Sequence, residues 1–341
     1  MILEEVLVPP GLEGIVVAET AISDVNGQRG ELTYRGQPIV EIVRDYHWED
    51  LVPFLCGVQV ALEAPMRSSS SPMMAGDPIK QFAVLALTTD YDPTKPLQYI
   101  KSLPLNLAAT RHAEKDPEHG MIAYRFLTML RGHQPSAAEA QALDAYWMIV
   151  AEHSLNASTF AVRIAASTGA SLPMAIAAGI GVLSGPLHGG APTGVLQLLD
   201  EVRGADDMDR VLQDKIEAGQ RLMGFGHRVY RTMDPRAVAL RQAFEALAVD
   251  HETVRLALAV EASSLKILGR RYPNRVLATN VEFYAAALLD TLGIAAEWCP
   301  ATFAAGRLAG WTAHYMEQQA HGRLIRPLAR YQGPRSVVET P

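Results

Sequence analysis

Hydrophobic and polar positions along this chain follow two different periods. Near the start, residues 15–20 and 30–34 are short strand-like runs flanking Asp24-Val25-Asn26-Gly27. Asn and Gly both tolerate positive φ, so this pattern predicts a small hairpin within the first 45 residues. After it, almost every periodic segment has helical spacing. Ser136 precedes Glu139 by three residues, a capping box that satisfies free amides ahead of an Ala-rich helix over 136–151. Helices rich in Ala and Gly follow over 157–170 and 172–184, the second beginning near Ser171-Leu172-Pro173 and reading as a buried core helix. Residues 206–222 and 250–270 repeat the helical period. Asp234-Pro235 is an N-cap with proline in the first turn, Asn280 can cap a helix that stops near Gly293, and a last long helix covers about 302–319. The serine run at 67–71 reads as an exposed loop. There is no internal repeat and no alternation of strand with helix, so the fold class is mainly α with a small N-terminal β-hairpin. Rossmann and barrel architectures are excluded on that pattern.

Composition narrows the class. The chain has 341 residues, 49% hydrophobic and 20% charged, enough to bury a sizeable core in one large or two ordinary domains. Thirty basic and 37 acidic side chains leave a net charge of −7, which argues against nucleic acid as a partner. Two cysteines, Cys56 and Cys299, cannot build a disulfide framework. No apolar run of about 18 residues suggests a membrane span, and the acidic start is unlike a signal peptide. The expectation is a cytoplasmic protein.

Five short stretches hold more histidine, arginine, glycine and carboxylate than packing requires. They are residues 152–156 (EHSLN), 185–190 (GPLHGG), 224–231 (GFGHRVYR), 234–236 (DPR) and 280–284 (NVEFY). His188 lies among glycines just before a helix start, where a histidine tends to stay neutral and can donate to a developing oxyanion. The bland alternative is a glycine turn that happens to carry a histidine. His227 sits in a second glycine loop with Arg231 and Arg236 downstream, and guanidinium forks suit carboxylates and phosphates. A solvated basic face is the competing reading. Glu282 falls at the second position of its helix, where the dipole alone accounts for a carboxylate; with the two histidines it becomes a candidate general base. Neither His-Glu-x-x-His nor Cys-x-x-Cys is present, so a metal is not expected. Gly224-Phe225-Gly226 lacks the third glycine and the preceding strand of a dinucleotide loop.

Taken together, AEHSLNASTFAVRIAAST, GPLHGGAPTGVL, LMGFGHRVYRTMDPRA and NVEFYAAALL resemble the citrate synthase family in residue type, order and spacing. The likeness runs from Leu32-Thr33-Tyr34-Arg35-Gly36 to Arg323-Leu324-Ile325-Arg326-Pro327 and looks closest to a short bacterial branch. The resemblance implies a two-domain helical homodimer, with a large domain at 1–189 and 296–341 and a small one at 190–295 closing over substrate. It implies condensation of acetyl-CoA, oxaloacetate and water to citrate and CoA, an acyltransferase reaction without metal or redox cofactor. On that likeness His188 donates to the acetyl thioester oxygen, Glu282 removes the methyl proton, and His227 binds and protonates the oxaloacetate carbonyl. His153, Arg236 and Arg307 hold oxaloacetate, with Arg326 reaching in from the partner subunit. Gln220, Arg221, Leu222, Met223 and Gly224 line CoA, and Arg231 meets its phosphates.

Two departures stand out. Most of the family has aspartate where this chain has Glu282; the added methylene gives about 1.5 Å of reach. The chain also has Ser71-Pro72-Met73-Met74 after its serine run, where many members have a histidine and a longer helix. Two other functions remain open on the sequence. One is 2-methylcitrate synthase using propionyl-CoA, since one methyl group is worth only about 1–3 kcal/mol of discrimination. The other is a ligand-binding homologue with little catalysis.

Overall fold

The computed structural model describes residues 9–59, 65, 76–189, 191–227, 229–230, 232–247 and 251–333. Three short strands come first: β1 (Ser23–Asn26), β2 (Glu31–Tyr34) and β3 (Gln37–Pro38). Helices follow as α1 (Ile39–Asp45), α2 (Trp48–Cys56), α3 (Pro78–Thr88), α4 (Pro96–His112), α5 (Ile122–Arg131), α6 (Ala137–Val150) and α7 (Ala157–Ser167). The chain continues through α8 (Leu172–Leu183), α9 (Ala191–Arg203), α10 (Met208–Glu217), α11 (Pro235–Glu245), α12 (Glu252–Arg271), α13 (Val281–Thr291) and α14 (Cys299–His321). The mainly helical expectation holds. The serine run and Ser71-Pro72-Met73-Met74 lie outside the described residues.

The hairpin is present, but shifted from the sequence reading. Residues 15–20 form no strand; Ile15 and Val16 are 50% and 88% exposed. The first strand begins just after fully buried Ile22 and pairs Ser23 with Tyr34 and Asn26 with Glu31. Asn26 therefore ends the strand, its side-chain oxygen accepts the Arg29 amide, and residues 27–30 make the turn. A third strand, β3, pairs with β2 and leads directly into α1.

α14 runs through the densest part of the molecule, packing on α2, α6, α7 and α8. Trp48 and Trp147 are fully buried against it, and their indole N–H groups donate to the Gly306 and Thr302 carbonyls. Glycine is required at 306, where a Cβ would stand 2.8 Å from Val150 and 2.9 Å from Trp147. Gly310, one turn later, touches the Ala151 backbone and the Glu152 carboxylate. This approach sets Arg307 against the end of α6.

α8 differs from the buried helix expected. Its Leu172, Ile176, Ile180 and Leu183 face inward, while Met174 is 59% exposed and Val182 is also exposed, so one apolar face stays open. Among the described residues no helix is long and apolar enough to cross a membrane.

Candidate active site

The N-terminal sheet supports a site far along the chain. The buried Tyr34 hydroxyl donates among the Met148, Ile149 and Glu152 carbonyls at the end of α6 and accepts the Glu152 amide. Ser23 donates to the Glu152 carboxylate and accepts the Ser154 amide. Segment 152–156 is thereby clamped, with Ser154 held at φ 52°, and Asn156 caps α7 by accepting the Thr159 amide. The far end of the hairpin meets the other half of the site: Gly27 packs on the Val229 backbone and Gly30 against Thr232.

A second junction joins residues 224–226 to 278–280. The Gly226 amide donates to the Ala278 carbonyl and the Asn280 amide to the Gly224 carbonyl, both at 2.8–2.9 Å. Asn280 uses both ends of its side chain, accepting the Glu282 amide as N-cap and donating to the Gly226 carbonyl. Asp234 adds a third tie. Its carboxylate caps α11, takes a bidentate grip on Arg236 at 2.9 and 3.0 Å, and accepts the Val281 amide at 3.3 Å. Arg236 and the first turn of α13 are thus tied through one carboxylate.

These elements enclose a cavity of about 1490 Å³. His153, His188, His227, Arg236, Glu282 and Arg307 all line it, as do Gln220, Arg221, Leu222 and Met223. Gly224, read from the sequence together with them, is not among the residues that line it. With φ +89°, it presses on Phe283, where a Cβ would stand 2.8 Å away, and its carbonyl is occupied by Asn280. Residues 218–223 lie in a loop because the helix expected to reach 222 ends at Glu217. Arg231 lies outside the described residues. Arg326 sits exposed in the extended tail, away from the cavity of its own chain.

The electrostatics divide the histidines from the carboxyl group. Burial, reinforced by the Arg307 charge, pulls His188 down to about 4, so it stays neutral at ordinary pH. The helix start at Ala191 is not the leading cause that the sequence suggested. His188 Nε2 lies 2.8 Å from the Ser158 hydroxyl. Burial and Arg236 likewise take His227 to about 4. Its Nδ1 accepts the Val229 and Tyr230 amides at 2.9 and 3.1 Å, which puts its hydrogen on Nε2. That Nε2 stands 3.1 Å from Arg236 Nη2, so two donors converge where an acceptor oxygen fits.

Burial raises Glu282, and the Arg236 charge offsets that only partly. Its helix-terminal position would lower it; burial wins. Asp234 goes the other way: burial would raise it, but Arg236 holds it below the usual carboxylate range. Arg307 gives its Nε–H to the Val150 carbonyl and lies over the Phe303 ring at 4.9 Å, with its terminal nitrogens unspent on the described residues. His153 is neutral, pushed well down by burial and the nearby arginines, and its Nε2 is 3.0 Å from the Tyr230 hydroxyl.

Sequence reading missed Ser158 and Tyr230 and saw Asp234 and Asn280 only as caps. Their roles come from contacts across 30 to 77 positions of chain, which no local pattern displays. Among the described residues no group of three or more His, Cys, Asp or Glu is placed to hold a metal ion. The arrangement offers a desolvated carboxyl base, two neutral imidazole donors and two buried guanidinium groups around one space. Such a set can enolise a carbon acid and hold a dicarboxylate.

Known proteins resemble this chain in sequence and fold. Residues 11–81 and 63–328 match the family described as "Citrate synthase, C-terminal domain". A Mycobacterium tuberculosis protein named "Putative citrate synthase 2" is 39% identical over 354 residues, covering 95% of this chain and 93% of that one. A Bacillus subtilis protein named citrate/2-methylcitrate synthase is 31% identical, with 96% of each chain covered. The crystal structure of citrate synthase from Thermotoga maritima superposes with a TM-score of 0.82 at 28% identity, covering 98% of both chains. The chain therefore belongs to the citrate synthase family and is an acyltransferase of that type.

Proposed function

We propose that this chain condenses acetyl-CoA with oxaloacetate and water, giving citrate and CoA. The observation that carries the reading is the meeting of His227 Nε2–H and Arg236 Nη2 beside Glu282 in one cavity. Oxaloacetate lies at this inner end, its carboxylates on Arg236 and Arg307 and its keto oxygen on His227, with His153 beside them. The thioester lies between His188 and Glu282, and its CoA portion leaves along residues 220–223.

Glu282 takes a methyl proton, and its raised pKa makes it a better base than an exposed glutamate. A carboxylate remains weak against a carbon acid, so stabilising the enolate oxygen must lower much of the barrier. The Ser158 hydroxyl donates to Asn156 Oδ1 at 2.8 Å; turned instead towards His188 Nε2, also 2.8 Å away, it puts the imidazole hydrogen on Nδ1 to serve that oxygen. As the enol carbon attacks the keto carbon, the Nε2 hydrogen of His227 passes to the new alkoxide. Two amides on Nδ1 and the adjacent guanidinium offset the charge left on the ring. Water then cleaves citryl-CoA to citrate and free thiol. Closure of 190–295 over the rest of the chain would exclude water until that step. In a homodimer, the exposed Arg326 would complete the partner's site. The open apolar face of α8, with exposed Ile164 on α7, suits such a contact.

A test is thiol release by purified protein. Thiol should appear from acetyl-CoA only when oxaloacetate is present; binding of oxaloacetate without thiol release would favour a ligand-binding homologue. The dual name of the Bacillus subtilis relative supports propionyl-CoA as a second substrate, to be decided by kcat/KM for the two thioesters.

A further inference from the structure

Tyr230 belongs to the His227 loop but reaches the segment that carries His153. Its ring is 3% exposed, with centroids 4.9 Å from His227 and 5.7 Å from His153, and the Arg236 guanidinium carbon stands 5.8 Å from its face. Its amide donates to His227 Nδ1 and its hydroxyl is 3.0 Å from His153 Nε2. One residue therefore touches both imidazoles assigned to oxaloacetate, by its backbone on one side and its side chain on the other. Among the described residues, the hydroxyl is the hydrogen-bond partner of the His153 ring.

The hydrogens can be counted. Burial keeps the phenol protonated and the His153 imidazole neutral, so the pair holds one O–H and one N–H. The mutual hydrogen bond uses one of them. The other is left with no partner among the described residues, in a cavity that both residues line. Without the hydroxyl, His153 loses the contact that fixes its ring. We propose that Tyr230 is a positioning residue for oxaloacetate: its hydroxyl fixes the orientation of the His153 ring, so that the pair presents a single donor to the substrate. The assignment rests on oxaloacetate occupying the inner end of the cavity, as proposed above.

Tyr230→Phe keeps the ring against His227 and Arg236 and removes only the hydroxyl. The expected result is a tenfold rise in oxaloacetate KM, as loss of about one hydrogen bond implies. kcat should stay within about threefold and acetyl-CoA KM should not change, a split that general loosening of the fold would not produce. In a His153→Gln background the same substitution should add less than about twofold, because its partner is gone. Calorimetry with oxaloacetate alone separates the two possible failures. Wild-type protein that binds none overturns the functional reading and this assignment with it. Tight wild-type binding that Tyr230→Phe leaves unchanged, or an equal penalty in both backgrounds, overturns the assignment alone.

Discussion

The inner end of the cavity and its mouth are built on different plans. At the inner end, Arg236 and Arg307 are 6% and 3% exposed and already gripped by Asp234 and the Val150 carbonyl. At the mouth, Gln220 and Arg221 are exposed, Leu187 stands free of the surface at 103% and Val276 is 68% exposed. On the proposed function, a small dianion meets groups fixed beforehand, so little order is lost when it binds. On the same reading, a long thioester meets a rim whose apolar side chains, Leu187 and Val276, stand exposed. The contrast suggests recognition by rigidity at one end and by adjustment at the other.

Substitutions at the two ends should separate these plans. Glu282→Gln should cut turnover about a thousandfold while oxaloacetate affinity stays within threefold. A thiol-release assay beside calorimetry reads both, and a parallel loss of affinity would show the carboxyl group to be part of the rigid binding end. Asp234→Ala should destabilise the fold by about 3 kcal/mol, because it leaves the Arg236 charge buried and unpaired. Urea unfolding would measure this, and a neutral result would mean that the inner end is not fixed before substrate arrives.

Acid should act next. Activity falls as pH drops through the raised Glu282 value, so the acid limb of kcat/KM should lie above the ordinary glutamate range. His188 and His227, neutral down to about 4, should add no break near 6.5. Their depressed values also contribute stability that is complete above 6.5 and lost as pH falls towards 4, since the unfolded chain takes up protons first. Melting midpoints across that window check the sign. The smallest effect belongs to the mouth. Arg221→Ala should raise acyl-CoA KM about threefold, less so at high salt, without touching oxaloacetate affinity.

Legibility in the sequence followed the same division between local and distant causes. α6, α11 and α13 announce themselves through Ser136, Asp234 and Asn280, side chains that cap their own helices. α2, α4 and α5 have no side-chain cap, and the first two carry Pro53 and Pro104 inside, so their boundaries come from packing rather than from local signals. Asn26-Gly27 showed that a hairpin exists but not its register, which buried Ile22 and Tyr34 decide. His188, His227 and Glu282 were visible through their motifs. Tyr230 and Ser158 were not, because nothing near them in sequence reveals the imidazole each one meets.

The shared carboxylate of Asp234 has a consequence for how such a pocket can change. It fastens the Arg236 guanidinium and the first amide of the helix that carries Glu282. On the proposed function, a variant that moved Arg236 to admit a bulkier acid would drag Glu282 off its line to the thioester. On that reading new substrates are easier to admit from the acyl side, where no such yoke is present among the described residues.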